Sequence, residues 1–446
     1  MSKVFAGATI RMLRDLHGLT QLSMARKLGI STSYLNQIEN DNRALSASML
    51  LNLARTFDVD PSLFSPEEAK RNAGKLKDAL ALAGITDFDE RSLRDLSARY
   101  PKLAATMSQL AYSQAPVDQV DAYEHVKNFL FSKRNHVEEL DELAEKLAKE
   151  IGIPGLRVTR LSSLLDQEFS VTVSFHKELP TSRRSYNPAT RTVYLRNNLN
   201  EAQQCFELAR QVAHLRYEDV LVDLTHDSPW LPDEQSRALA HVALAQYFGA
   251  AVVMPYGDFI AAARELHYDI DLLSSRFGTS FESTCHRLST LQRPGDEGVP
   301  FFFIRTDRAG NISKRQSSAS FHFSRSGGSC PLWVLHRSFE SSGRILRQVA
   351  QMPDGRTYLW IARTISSTSF GFGEAPKEFA IGLGCDIDQA ENLVYSRGLN
   401  LSPDVADPIG TGCRVCSRED CRQRAFPFTG RELATRESES SDIPYS

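Results

Sequence analysis

Residues 20–39 read TQLSMARKLGISTSYLNQIE, and the order of residue types in this stretch decides the fold of the N-terminal part of the chain. Thr20 is a good N-cap for one short helix, because its side-chain oxygen can accept a hydrogen bond from a free backbone N–H. Gly29 ends that helix, and Ser31 can cap the next one. The stretch therefore predicts two short helices joined by a tight turn.

Neighbouring helices complete a small all-α unit. Ile10, Leu13 and Leu16 form an apolar stripe in front of the quoted stretch, and Gly18 breaks it. All five expected helices can be placed before Phe64. The pattern resembles the phage-repressor (Cro/C1, or XRE) family of helix-turn-helix proteins, which bind DNA.

The exposed face of the predicted third helix carries side chains that can hydrogen-bond phosphates or base edges. They are Ser31, Thr32, Ser33, Asn36 and Gln37. Gln21 stands at the start of the second helix, where backbone N–H groups favour phosphate. Residues 1–56 contain seven Lys and Arg against three Asp and Glu, a net charge of +4, whereas the whole chain carries −3. We predict binding to double-stranded operator DNA; the alternative is a helical bundle used only for protein contacts.

Composition excludes several classes of protein. The 446 residues predict roughly two to four domains, and 41% hydrophobic with 24% charged residues is typical of a globular protein. No run approaches the roughly 20 apolar residues of a membrane helix, and the N-terminus lacks the apolar core of a secretory signal. Seven cysteines argue against a disulfide-rich secreted protein. We expect a cytoplasmic protein without a membrane partner.

The middle of the chain alternates helix and strand patterns. A polar, helix-prone connector with apolar faces suited to core or dimer packing precedes it. The predicted strands are 169–175 and the later part of 186–196, and the predicted helices are 203–217 and 238–253. This order resembles the ImmA/IrrE-type metallopeptidase domain, in which one helix carries H-E-x-x-H and a later helix supplies a carboxylate.

The zinc ligands of that domain are missing here. Two His at i and i+4 would bind zinc, and the Glu between them would act as general base. These positions hold Arg210, Gln211 and His214, and the later helix has Val242 and Leu244 where an acidic ligand would be sought. We predict no catalytic residues and no enzyme activity, with an active metallopeptidase as the weaker alternative. His214 then belongs to a hydrogen-bonded core or to a small-molecule pocket.

Three cysteines crowd into CRVCSREDC, residues 413–421, an array specific for metal binding. Cys413, Cys416 and Cys421 supply three ligands. The first candidate for the fourth is Cys385, expected in a turn after a glycine, and the second is Cys330. Four thiolates can hold zinc or an iron–sulfur cluster, and spacing leaves both open. Reduced cysteines without metal are the alternative.

Order and motifs together resemble the short-chain fatty acyl-CoA regulators over nearly the whole chain. The resemblance implies a multidomain protein: an all-α helix-turn-helix domain, an α+β degenerate ImmA/IrrE-like domain and a mixed α/β C-terminal domain. The predicted bounds are 6–66 for the head, 67–151 for the connector, 152–298, 299–428, and 429–446 for a disordered tail. It further implies a transcriptional regulator of propionate, acetate or glyoxylate-shunt genes, forming a homodimer or homotetramer. A 4Fe-4S cluster is implied rather than zinc.

Short acyl-CoA esters are the effectors that the resemblance implies. Such a site needs cations for the CoA phosphates and an apolar slot for the acyl group. The predicted residues are Arg305, Lys314 and Arg315, near Phe303, Phe321 and Phe323. The alternative for these residues is a solvated strand edge. A rival function is a redox or stress regulator in which the cluster itself is the signal.

Overall fold

The computed structural model describes residues 7–40, 42–57, scattered positions from 73 to 108, 122–176, 182–317, 329–367, 373 and 377–428. These residues belong to two compact units. The first comprises residues 1–119 with 319–322, and the second comprises the rest of the chain. The expected tail and both Phe321 and Phe323 lie outside the described residues.

The first unit begins with the predicted helix-turn-helix. Its helices are α1 (Gly7–Leu16), α2 (Gln21–Leu28), α3 (Thr32–Glu39) and α4 (Ala47–Phe57). The two predicted caps are confirmed: Thr20 accepts the N–H of Ser23 at 3.2 Å, and Ser31 accepts the N–H of Tyr34 at 3.1 Å. Gly29 adopts φ 67°, the left-handed conformation that favours glycine at a helix end. The fifth predicted helix falls outside the described residues.

The second unit starts with helices that lead into a small sheet. The helices are α5 (Ala122–Ser132), α6 (Glu138–Ile151) and α7 (Arg157–Phe169), and the strands are β1 (Thr172–His176), β2 (Arg184–Asn187) and β3 (Thr192–Arg196). The strand order is β1-β3-β2, with β1 parallel and β2 antiparallel to β3. The stretch 186–196, expected to hold one strand, therefore contributes to two strands of a hairpin.

A helical layer follows this sheet. It consists of α8 (Glu201–Arg216), α9 (Glu218–Thr225), α10 (Glu234–Val253), α11 (Tyr256–Glu265), α12 (Ile270–Phe277) and α13 (Phe281–Leu288). Helices α8 and α10 confirm the two predicted helices, with earlier starts. Among the described residues no single helix is long and apolar enough to cross a membrane; α10 and α11 pass that test only as a pair, bent by 61°.

The C-terminal part folds into a larger sheet. Its strands are β4 (Phe302–Thr306), β5 (Ile312–Ser317), β6 (Leu346–Gln351), β7 (Thr357–Ser367), β8 (Lys377–Asp386) and β9 (Asp407–Pro408), and a short helix, α14 (Val334–Arg337), precedes β6. The order is β5-β4-β8-β7-β6-β9, antiparallel except for β6 and β9. The mixed α/β class expected here is confirmed.

One hydrophobic core runs through the second unit. It extends from Val126 on α5 through the long helix α10 to Cys385 on β8 and Tyr395. Burying each large aliphatic side chain contributes about 1.5–3 kcal/mol, so this shared core ties the middle helices to the C-terminal sheet. The domain bounds at 152, 298 and 428 stay predictions.

Candidate functional site

Helix α3 presents most of the predicted DNA-binding side chains to solvent. Ser33, Asn36 and Gln37 are exposed, and Thr32 is half-buried. Ser31 is exposed too, but its hydroxyl oxygen is engaged as the N-cap of α3. The arrangement leaves one polar helix face available for a groove of DNA, as the helix-turn-helix geometry requires.

A buried carboxylate that the sequence reasoning missed fixes Gln21 and α3. Glu39 is 1% exposed and accepts hydrogen bonds from Arg14 Nε at 2.8 Å and from Gln21 Nε2 at 2.7 Å. Asn36 Nδ2 reaches Gln21 Oε1 at 3.5 Å, and Asn40 donates to Asn36 Oδ1 at 3.0 Å. The network ties the start of α2 to the end of α3 and orients both amides.

Helix α8 carries the residues that stand at the expected zinc positions. Arg210 Nη1 donates to Glu207 at 2.8 Å, and Arg184 of β2 lies 3.6 Å from the same carboxylate. Arg184 also donates to the side-chain oxygen of Gln211. Arg210 and Gln211 stand where a zinc ligand and the general base would be. Both are held in a network of two cations, one anion and one amide.

On helix α10, the structure brings a different residue to the expected zinc site than the two positions considered from the sequence. Val242 is exposed and Leu244 is buried, whereas His241 of α10 points towards the same carboxylate as His214. Glu218 lies 3.7 Å from Nδ1 of His214 and 3.7 Å from Nδ1 of His241. The sequence signal was available in His241 itself, one residue before the positions considered.

Nearby cations work against a metal in this cleft. Burial lowers the pKa of His214, and the charges of Arg184 and Arg210 lower it further, while Glu218 opposes them. Added positive charge is disfavoured at such a place. In the part of the chain that the structure describes, no three His, Cys, Asp or Glu side chains are placed to hold one metal ion.

The predicted thiols lie in two different places of the second unit. Cys413 and Cys421 are partly exposed and Cys416 is buried, all on the loop after β9. Cys330 is buried too, and this burial raises the pKa of its thiol. Which of Cys330 and Cys385 completes the array stays a prediction.

Cys385 does not come from a turn, as expected, but lies inside strand β8 opposite Leu359. Gly382 and Gly384 lie on the other face of β8, because a Cβ there would come within 2.6 Å of the side chains of Leu335 and Trp360, respectively. Successive residues of a strand point to opposite faces, so Cys385 faces the shared core.

The three cations predicted to bind CoA phosphates do not converge. Arg305 and Lys314 are directly opposite each other on β4 and β5 and share a face, whereas Arg315 points to the other one. Arg305 Nη1 pairs with Glu282 at 2.8 Å, and Arg315 Nη2 pairs with Glu124 at 2.7 Å.

Lys314 is the third of these cations. Its ammonium lies 5.7 Å from the centre of the ring of Phe303, the apolar neighbour expected from the sequence. Burial lowers the pKa of Lys314 to about 8, with Arg305 adding to the shift and Glu282 opposing it. Lys314 is half-buried, which leaves its ammonium less open to a phosphate than that of an exposed lysine.

Three segments of the chain match known domain families. Residues 10–64 match a helix-turn-helix family, residues 167–289 the IrrE N-terminal-like domain, and residues 290–445 the short-chain fatty acyl coenzyme A regulator C-terminal domain. The HTH-type transcriptional regulator PrpR of Mycobacterium tuberculosis is 41% identical over 100% of this chain and 96% of its own length. The chain belongs to the short-chain fatty acyl-CoA regulator family.

Other relatives agree with this assignment. The propionyl-CoA carboxylase regulator of Cereibacter sphaeroides is 38% identical over 99% of this chain and 98% of its own length. A solved structure of a Mycobacterium tuberculosis transcriptional regulator superposes with a TM-score of 0.70 and 45% identity, covering 73% of this chain and all of that one. The family member described here is a DNA-binding transcriptional regulator and not an enzyme.

Proposed function

We propose that this regulator controls genes of short-chain acyl-CoA metabolism and responds to an acyl-CoA that binds in the remnant of the metallopeptidase cleft. The name of the Cereibacter sphaeroides relative and that of the C-terminal family model support the metabolic assignment. The observation that carries the binding site is the pair of arginines, Arg184 and Arg210, which share Glu207 as a common carboxylate. The pair and its carboxylate carry a net charge of +1.

A CoA ester fits the chemistry of this cleft better than that of the β4–β5 strands. Its phosphates need guanidinium groups in a fixed arrangement, since charge-assisted hydrogen bonds are the strong ones. Arg184 and Arg210 are 15% and 16% exposed, so both are held in place and still reachable. Arg305 and Arg315, by contrast, are each engaged with a separate glutamate on opposite faces of the strands.

The test is calorimetric titration of the full chain with acetyl-CoA, propionyl-CoA and free CoA. Arg184→Ala should weaken binding about ten- to hundred-fold, because a hydrogen bond to a charged group contributes about 1.5–3 kcal/mol. Arg216→Ala is the matched control, since Arg216 lies on the same helix α8 but pairs with Glu150 at 3.0 Å. Loss of binding in Arg305→Ala with none in Arg184→Ala would contradict the cleft and favour the β4–β5 strands.

We also propose that the thiols of the C-terminal loop hold a 4Fe-4S cluster, with zinc as the alternative. Soft thiolates suit either, and the flanking arginines offset the negative charge of the bound group. When bound, the cluster supplies redox sensitivity. Loss of operator binding on oxidation, together with indifference to acyl-CoA, would favour the rival redox regulator.

Binding to operator DNA as a homodimer or homotetramer completes the proposal. One helix-turn-helix buries too little surface for tight specificity, and dimers of such proteins span two half-sites about one helical turn apart. Analytical ultracentrifugation of the chain with and without operator DNA tests this point. A monomer bound to a single half-site with full affinity would contradict it.

A further inference from the structure

Basic side chains gather where helix α13 packs on strands β4 and β5. Arg305 of β4 and Lys314 of β5 are directly opposite each other in the strand register. Glu282 and His286 are one turn apart on α13. Arg305 Nη1 pairs with Glu282 at 2.8 Å, and Arg305 Nε donates to the hydroxyl of Ser313 at 2.9 Å. The carboxylate of this group is therefore engaged by the arginine.

Lys314 is left without a counter-ion in this group. Among the residues that the structure describes, its ammonium makes no hydrogen bond and no ion pair, and it lies 5.7 Å from the centre of the Phe303 ring. His286 meets the same ring edge-on, at 5.3 Å between centroids. Burial and the surrounding cations lower the pKa of His286 well below the ordinary 6.5, so this imidazole is neutral at neutral pH. A half-buried ammonium beside a guanidinium, with no anion of its own, favours loss of its proton.

The neutral amine is the nucleophilic form of lysine, and lysines become nucleophiles where burial or a second cation favours that form. Both conditions hold at Lys314, since burial and the charge of Arg305 lower its pKa to about 8, against the pull of Glu282. At pH 8 about half of the Lys314 side chains are neutral, against roughly 0.3% for a lysine with the ordinary pKa. The fold thus holds a reactive amine on edge strand β5.

We propose that Lys314 is a covalent modification site, at which the side-chain amine accepts the acyl group of a short-chain acyl-CoA. The amine nitrogen attacks the thioester carbonyl carbon, an N–C bond forms and the C–S bond breaks. CoA leaves as the thiol, with the proton that the nitrogen releases. The amide that remains carries no charge, so the repulsion between Lys314 and Arg305 disappears. This step goes beyond the reversible binding proposed for the cleft and uses none of the cleft residues.

The test compares two lysines of the folded full-length chain. Lys377 of β8 is the matched control, because its ammonium also lies over a phenyl ring, that of Phe379 at 5.6 Å, but the side chain is exposed. The chain is incubated at pH 8 with propionyl-CoA and, separately, with propionic anhydride, and peptide mass spectrometry gives the initial rate of acylation at each lysine. We expect Lys314 to react at least about five-fold faster than Lys377 with both reagents. In the chain unfolded with guanidinium chloride, the two lysines should react alike.

Two variants test the cause and the consequence. Arg305→Met removes the opposing cation and frees Glu282 beside Lys314, so acylation of Lys314 should slow by about ten-fold while that of Lys377 stays the same. Acylation should raise the unfolding temperature of the wild type, because a half-buried charge is lost, and should not do so in Lys314→Arg. Should Arg305→Met fail to fold, the comparison of the two lysines in the wild type decides.

Three results would overturn the proposal. They are a rate at Lys314 no higher than at Lys377 in the folded chain, the same preference in the unfolded chain, and labelling of Lys314 by the anhydride alone, since acyl-CoA is then no donor. The proposed cleft stands or falls separately. Calorimetry of Arg184→Ala reports on the cleft, whereas acylation of Lys314 by the anhydride and by propionyl-CoA should persist in that variant.

Discussion

Arg287 Nη2 donates to Oδ1 of Asp141 at 2.6 Å, and the two side chains are 1% and 0% exposed. Asp141 lies on α6 and Arg287 on α13, so the ion pair joins helices that are distant along the chain. Tyr247 donates to the other oxygen of Asp141 at 2.5 Å, and Arg287 Nε donates to the carbonyl of Met254 at 3.1 Å. Hydrogen bonds on both sides are what make a buried ion pair tolerable.

Asp141→Asn should lower the free energy of unfolding by about 3–5 kcal/mol, because it leaves the Arg287 guanidinium buried without its counter-charge. Urea denaturation of the purified chain measures this change. Asp296→Asn is the control: Asp296 pairs with Arg264 at 2.7 Å on the surface, and its loss should change stability by less than about 1 kcal/mol. Equal losses in the two variants would show that the buried pair has no special weight.

The same carboxylate predicts an acid dependence. Burial alone would raise the pKa of Asp141, but the charge of Arg287 and hydrogen bonds to His136, Tyr247 and Arg287 hold it below the ordinary 3.8. A lowered folded pKa means that the ionised form stabilises the fold above about pH 3.8 and that this stability is lost as the pH falls further. The fall in unfolding free energy below about pH 4 should be shallower in Asp141→Asn than in the wild type. Identical acid profiles would contradict this.

The sequence predicted the head well because its signals are local. Thr20 and Ser31 cap the helices that begin directly after them, and Gly29 ends its helix through its own backbone conformation. The prediction that Cys385 lies in a turn was wrong. It was based on Gly382 and Gly384, which are typical turn residues, but here glycine is needed because the side chains of Leu335 and Trp360 pack closely against the strand. Contacts between distant segments leave no local pattern.

The cleft shows the same limit. Glu218 and His241 lie on two helices that meet at His214 only in the folded chain. The prediction that Arg210 and Gln211 do not bind zinc needed no structure, because it rests on the chemistry of these two side chains alone. The contacts of Arg184 with Glu207 and Gln211 could not be predicted from the sequence, because they depend on where strand β2 lies in the fold.

Arg210→His with Gln211→Glu should create a zinc site that the wild type lacks. The double substitution removes one cation and adds an imidazole and a carboxylate to α8, one turn before His214, which shares Glu218 with His241. Affinity should stay modest, because Arg184 remains and repels the ion. Zinc content after dialysis against a weak chelator is the measurement. Adding His241→Ala should abolish the binding, and zinc retention in that triple variant would show that His241 is no ligand.

Lys314→Met should stabilise the fold and flatten its alkaline pH dependence. The folded pKa of about 8 lies below the ordinary 10.5, so the unfolded chain binds the proton more tightly between these values. Stability of the wild type should therefore rise as the pH increases from about 8 to 10.5 and be lower below that window. Thermal unfolding at several pH values measures both effects. A wild-type stability that falls across this window would contradict the assignment.

Replacing Asn36 and Gln37 with Ala should remove sequence preference more than nonspecific affinity for DNA. Both side chains are exposed on α3, and each bidentate contact to a base contributes about 1–3 kcal/mol of discrimination. Neither carries charge, so the dependence of binding on salt concentration should stay unchanged. Glu39→Gln is the informative comparison, because it loosens Arg14 and Gln21, and through Gln21 the amide of Asn36, without removing any side chain from the exposed face of α3. It should weaken operator binding through lost helix stability, visible as a lower unfolding temperature of the head. An unchanged footprint in the Asn36 and Gln37 double variant, with discrimination retained against scrambled DNA, would remove α3 from the role of the reading helix.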